Sequence, residues 1–177
     1  MAGALMAPFA AAAIVLCVAG VAKLRSPVAA MRVLAALGLP ARPWLVRGVA
    51  CGELSLGAWC LVAPSRFAAA ALALLYAAFA GLALVLARRS VSCGCFGDAD
   101  ASPVTFTHSI PSLALASACI AGALWVPHGV SWVLSRSVGV GAALAIGVAG
   151  MAYAVVLAYT ELPGAWRAWT QHEPWTR

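Results

Sequence analysis

Residues 67–87 read FAAAALALLYAAFAGLALVLA, with Arg66 before the run and Arg88-Arg89 directly after it. Nothing in the run carries a charge at neutral pH. As a helix it covers roughly 30 Å, the thickness of a bilayer's hydrocarbon core. An open segment satisfies its own backbone in lipid only as a helix. This stretch therefore reads as a membrane span, and the fold follows from whether it has companions.

It has four. Residues 1–22 contain no ionisable side chain, 44–63 contain one charge, Glu53, 103–126 carry only His108 near the start, and 137–160 are uncharged. The whole chain of 177 residues is 64% hydrophobic and 9% charged, against about 45–50% and 25% in soluble domains. That excludes a water-soluble enzyme, a disordered chain and a nucleic-acid binder. The expected fold class is all-α: a polytopic membrane helix bundle with a four-helix core plus a fifth transmembrane helix. Residues 1–163 would form one membrane domain and 164–177 a polar, Trp-rich tail. The first run lacks a basic n-region and is longer than a signal h-region. Cys17 follows Val15 and Leu16, a poor lipoprotein cleavage site. The run reads as a retained helix.

Punctuation supports the boundaries. Ser26-Pro27, Arg42-Pro43 and Ser102-Pro103 put Pro where a first helical turn tolerates it, with Ser as the expected N-cap in two of them. Residues 26–38 read as a short interfacial helix with a Gly38 stop, and 131–136 as a shorter one. Gly139, Gly141, Gly147 and Gly150 suggest close packing of the fifth span. Trp44, Trp59, Trp125 and Trp132 fall near span ends, as interface anchors do. Trp166, Trp169 and Trp175 in the tail fit the same belt.

Five spans put the first loop, the third loop and the tail on one side. Lys23, Arg25, Arg32, Arg42, Arg47, Arg88, Arg89, Arg167 and Arg177 lie there, nine of the eleven basic residues. Only Arg66 and Arg136 fall on the other side. The positive-inside rule then places this face in the cytoplasm of a multi-pass cell-membrane protein. The net charge of +6 is a topology signal and a contact with anionic lipid, not a sign of nucleic acid.

The third loop carries the chemistry: Ser92-Cys93-Gly94-Cys95-Phe96-Gly97-Asp98. Gly94 frees the backbone to bring both sulfurs together or to present both to a third atom. Arg88 and Arg89 favour the thiolate, the form that attacks disulfides and binds soft metals. One reading is a dithiol that exchanges with a partner's disulfide. A strained bridge across one residue would be labile, as catalytic disulfides are. A second is a Cu(I) or Zn site on Cys93 and Cys95, with His108, Asp98 or Asp100 as supplements. The third is a glycine turn with inert cysteines in a membrane scaffold.

With those residues in view, the chain resembles the methylamine-utilisation MauE family, within the wider DoxX-like membrane proteins. Cys93-Gly94-Cys95-Phe96-Gly97 after a third span is the most specific match. Residues 20–27, GVAKLRSP, resemble the family's end of helix one. Glu53-Leu54-Ser55-Leu56-Gly57 resembles its second-helix pattern. The likeness covers about residues 10 to 125. It implies a redox-associated membrane protein that works with a thioredoxin-like partner on disulfides of exported proteins, such as the methylamine dehydrogenase small subunit. Its enzymatic form would be a membrane thiol–disulfide oxidoreductase, with no cofactor expected. One departure stands out: where the family pattern leads us to expect Arg-Asn near the start of the fourth helix, this chain has Pro111-Ser112.

Three further residues are candidates. Glu53 lies near mid-bilayer, where an acid is a functional hypothesis by default. It would relay protons during thiol exchange, or form a structural ion pair with Lys23 reaching back from the first helix end. His108 would act as base or positive partner for the thiols, or sit as a hydrogen-bonded histidine at a helix start. Cys17 and Cys51 lie roughly 9–12 Å in from the first-loop face, and Cys60 and Cys119 nearer the other. Depth alone would permit a ladder of cysteine pairs. Buried free cysteines more commonly pack as small apolar residues.

Overall fold

The structure is a computed structural model that describes residues 2–89, 106–129 and 137–161, with isolated positions at 132, 133, 135, 164, 165 and 169. Cys93, Cys95, Asp98, Asp100 and Ser102-Pro103, singled out above, lie outside the described residues, as do Trp166 and Trp175 and most of the 131–136 segment.

Six helices and one short turn are present among the described residues, and no strand. Helix α1 spans Ala2–Arg25, α2 Val28–Ala36, α3 Pro43–Val62 and α4 Arg66–Ala87. A 3₁₀ turn at Phe106–His108 leads into α5, Ser109–Leu124, and α6 spans Val138–Thr160. Five of the helices are long and apolar enough to cross a membrane. Only α2 is not, and it is the short helix expected in the first loop. The expected all-α polytopic bundle is what the structure has.

Helix α1 is the centre. It packs against α3, α5 and α6, while α4 packs against α5. Phe9, Val15 and Leu16 of α1 are buried with Leu72 and Tyr76 of α4 and Leu115 and Cys119 of α5. Lipid tails are as apolar as these side chains, so association depends on close packing rather than on escape from water. Two glycines set the α1–α3 distance. A Cβ at Gly57 would lie 2.5 Å from Cys17 Sγ and 2.8 Å from the Ala13 carbonyl, and one at Gly20 would lie 2.9 Å from the Ala50 carbonyl. Tyr76 adds a polar tie, its hydroxyl donating to the Ala12 carbonyl at 2.7 Å.

The fifth span differs. Helix α6 buries only Val148, Ala152 and Tyr159, and Gly139, Gly147 and Gly150 have open space where a side chain would be. The expectation that its glycines mediate close packing is corrected. The tight contacts among the described glycines are made outside α6, by Gly20 and Gly57 between α1 and α3, by Gly122 against Phe9 and by Gly129 against Pro64, and α6 is peripheral. The four-helix core plus a fifth helix stands in that form.

The caps hold in part. Arg42-Pro43 opens α3 with Pro in the first turn. Helix α2 is capped by Pro27, with no side-chain cap bond, because the Ser26 amide still bonds Ala22 and continues α1. Ser26 is therefore not an N-cap. Ser65 is one, accepting from the Ala68 amide at 3.2 Å. Gly38 ends α2 at φ 74°, where its amide bonds Ala35 and that of Leu39 bonds Leu34. Glycine suits this left-handed stop because it has no Cβ to clash.

Helix α2 lies against the end of α4. Val33 packs with Ala83 and Leu86, and the Arg89 guanidinium donates to the Ala36 carbonyl at the α2 C-terminus. Trp44, Trp59 and Trp125 are all exposed near helix ends, as interface anchors are.

Candidate functional site

The first-loop end of the bundle holds an ion pair inside the membrane. Lys23 stands two residues before the end of α1, and its side chain leans back toward the helix N-terminus as helical geometry dictates. That direction carries the ammonium into the bundle. There Nζ donates to both carboxylate oxygens of Glu53, each at 2.7 Å. The two side chains are 9% and 2% exposed. Nζ also sits 5.4 Å from the centre of the Phe79 ring, a cation–π contact. The structural ion pair weighed for Glu53 and Lys23 is thus present.

Beside the pair, α5 begins with a run of buried polar residues. Thr107, His108, Ser109 and Ser112 are each at most 6% exposed. Ser109 Oγ donates to the Phe106 carbonyl at 2.5 Å and holds the turn that starts the helix. Ser112 lies one helical turn from His108, on the same face. Its hydroxyl bonds the His108 carbonyl at 3.3 Å and shares a 2.6 Å hydrogen bond with the Tyr159 hydroxyl of α6.

These groups meet at a small cavity lined by Lys23, Tyr76, Phe79, His108, Ser112 and Tyr159, with Val15, Leu16, Ala19 and Ala83 as its apolar wall. Lys23 and His108 line it directly, and Glu53 stands behind Lys23. The structure thus brings three of the predicted site residues to one end of the bundle. Cys93 and Cys95, the remaining two, lie outside the described residues.

Sequence reasoning missed Ser112 and Tyr159. Ser112 was registered only as the absence of an Arg-Asn pair, and Tyr159 only as part of an uncharged span. The available signal was the four-residue spacing of His108 and Ser112, which marks a polar helix face.

Of the four other cysteines, Cys60 lies near both Cys17 and Cys119. Cys51 is exposed on α3, while Cys17 is partly buried and Cys60 and Cys119 are buried, all as free thiols. The Cys60 thiol donates to the Ala68 carbonyl at 3.5 Å, and Cys17 lies against Leu54 and Gly57. A ladder that pairs Cys17 with Cys51 does not form, because Cys17 faces α3 one to two turns beyond Cys51. Cys60 and Cys119 join the apolar core.

The family model described as methylamine utilisation protein MauE matches residues 1–127. No curated protein and no solved structure matches the chain.

Proposed function

The chain belongs to the MauE family, and on that premise we propose that it is a membrane thiol–disulfide redox protein whose partner is thioredoxin-like. The observation that carries this reading is the Cys93-Gly94-Cys95 pair in the loop between α4 and α5. One thiolate attacks a sulfur of the partner's disulfide, forms a mixed disulfide and expels the partner's other sulfur as thiolate. The second cysteine then attacks the mixed disulfide. This closes Cys93–Cys95 and releases the partner reduced by two electrons. Reversal of the same steps oxidises the partner.

The residues described around this loop support the reading. The loop leaves α4 after Arg88 and Arg89 and enters α5 at the buried His108, so two cations and an imidazole flank it in sequence. Cations favour the attacking thiolate. Lys23 and Glu53 act as positioning residues: their pair ties α1 to α3 beneath the same end of the bundle. The nine basic residues of that face support a cytoplasmic loop by the positive-inside rule.

Trapping tests the exchange. Cys95→Ser, or Cys93→Ser if the roles are reversed, is expected to accumulate a mixed disulfide with a thioredoxin-fold protein, released by reductant. If neither variant traps a partner while the purified protein binds Cu(I) or Zn stoichiometrically, the exchange reading is overturned in favour of a soft-metal site. Full activity of both variants in cells would reduce the motif to a structural turn.

A further inference from the structure

Arg88 and Arg89 flank the dithiol loop alike in sequence, but the structure separates them. We propose that Arg89 is a positioning residue for the loop thiols. It ties the start of the loop to α2, and Arg88 alone is left as the cation that serves the thiolate. This deepens the thiol reading, rests on it, and gives the short helix α2 a part in it.

Three observations carry the inference. A helix leaves its last carbonyls without partners inside the helix. At the end of α2 the amides of Leu37, Gly38 and Leu39 take the carbonyls of Val33, Leu34 and Ala35. The Ala36 carbonyl is left over, and the Arg89 guanidinium donates to it. A cation here also meets the negative end of the helix dipole. Second, the Arg89 amide bonds the Leu86 carbonyl at 2.9 Å. Its backbone therefore closes the last turn of α4 while its side chain closes α2. Third, apolar packing runs alongside the bond. Val33 of α2 is buried against Ala83 and Leu86, with Leu37, Leu82 and Ala87 beside them. Bond and packing together hold α2 on the turn from which the loop departs. Arg88 is exposed, and its side chain bonds none of the described residues.

Cys93 follows Arg89 by four residues. A chain advances at most about 3.6 Å per residue, so the Cys93 backbone stays within about 14 Å of the tethered arginine. A fixed start therefore limits where the thiols stand relative to Arg88. A freed start spreads them over more positions, and fewer of these keep a thiolate beside a cation that favours it. Arg89 thus acts through α2, with its own charge engaged at the helix end.

The test uses the full chain in lipid nanodiscs. Hydrogen exchange of the α2 amides reads the tether. Alkylation of Cys93 by iodoacetamide in a Cys95→Ser background, followed by mass spectrometry, reads the thiol. Arg89→Gln is expected to speed exchange at the end of α2 by about two- to fivefold and to slow alkylation by a like factor. Arg89→Lys keeps a cationic donor and should restore both. Val33→Ala changes no charge but loosens α2 on α4, so it should also slow alkylation. Combined with Arg89→Gln, it should give less than the product of the two effects. Arg88→Gln should slow alkylation and leave α2 exchange as in the wild type. Circular dichroism confirms that each variant is folded. Unchanged α2 exchange in Arg89→Gln means that no tether exists and overturns the proposal. Faster exchange with unchanged alkylation overturns it as well. So does a Val33→Ala protein as reactive as the wild type, because Arg89 would then serve the loop by charge alone. No partner protein enters either readout, so failure of partner trapping leaves the tether intact, and loss of the tether leaves the exchange reading intact.

Discussion

Breaking the Lys23–Glu53 pair should cost unequal amounts depending on which partner is removed. Glu53 lies ten residues into α3, about 15 Å along the helix axis, and is 2% exposed. It has no route to the interface. Lys23 stands two residues from the end of α1, about 3 Å of rise, on a long flexible stem. Lys23→Met therefore strands a carboxylate in low dielectric, with an expected loss of about 3–5 kcal/mol, as for other buried pairs cut on one side. Glu53→Leu leaves an ammonium that can extend to the headgroups, and the expected loss is about 1–2 kcal/mol. Replacing both, Lys23→Met with Glu53→Leu, removes the desolvation cost together with the attraction. That variant should lie within about 1 kcal/mol of wild type. The assay is reversible unfolding in mixed lipid–detergent micelles, followed by circular dichroism, with the four proteins treated as a double-mutant cycle. If Glu53→Leu is the more damaging single change, or the double variant loses the sum of both, the pair does not act as described.

Two further outcomes follow from the packing and the charge pattern. Gly57→Ala puts a methyl group 2.5 Å from Cys17 Sγ and 2.8 Å from a backbone carbonyl, and should cost about 1–3 kcal/mol. Gly147→Ala meets open space and should be neutral or stabilising by about 0.5–1 kcal/mol, and the same unfolding assay compares them. In intact cells, variants keeping only Cys93 or only Cys95 should resist a membrane-impermeant thiol reagent and react once the membrane is opened. Labelling from outside would invert the topology.

Much of the fold was legible because lipid makes a simple demand. A run such as residues 67–87 has no alternative to a helix of its own length, so span number, order and approximate ends could be read from charge and hydropathy. Gly38 and Pro43 were legible too, since each acts through its own backbone. Ser26 was not: whether a serine caps the next helix or extends the last depends on the angle between them. The fifth-span glycines misled for a related reason. A small residue permits close approach, but only the arrangement of neighbours decides whether anything approaches.

The candidate site divides in the same way. Glu53, Lys23 and His108 were conspicuous as rare ionisable groups in apolar surroundings, and the dithiol was conspicuous as a local motif. The partner of each is a matter of lateral contact, which composition and depth do not contain. Span position put Cys17 and Cys51 at similar depths, and packing sent one against α3 and the other to the surface. Ser112 and Tyr159 are unremarkable in their own helices and become a pair only because α5 and α6 meet there.

By itself, then, the sequence determined a five-span helical membrane protein with its charges gathered at one face, because each of those properties is set by a segment and its solvent. The tertiary structure decided that Lys23 closes on Glu53 and that Ser112 meets Tyr159 beside a small cavity. Those contacts depend on how helices rotate and cross, which interdigitating side chains from distant segments set together.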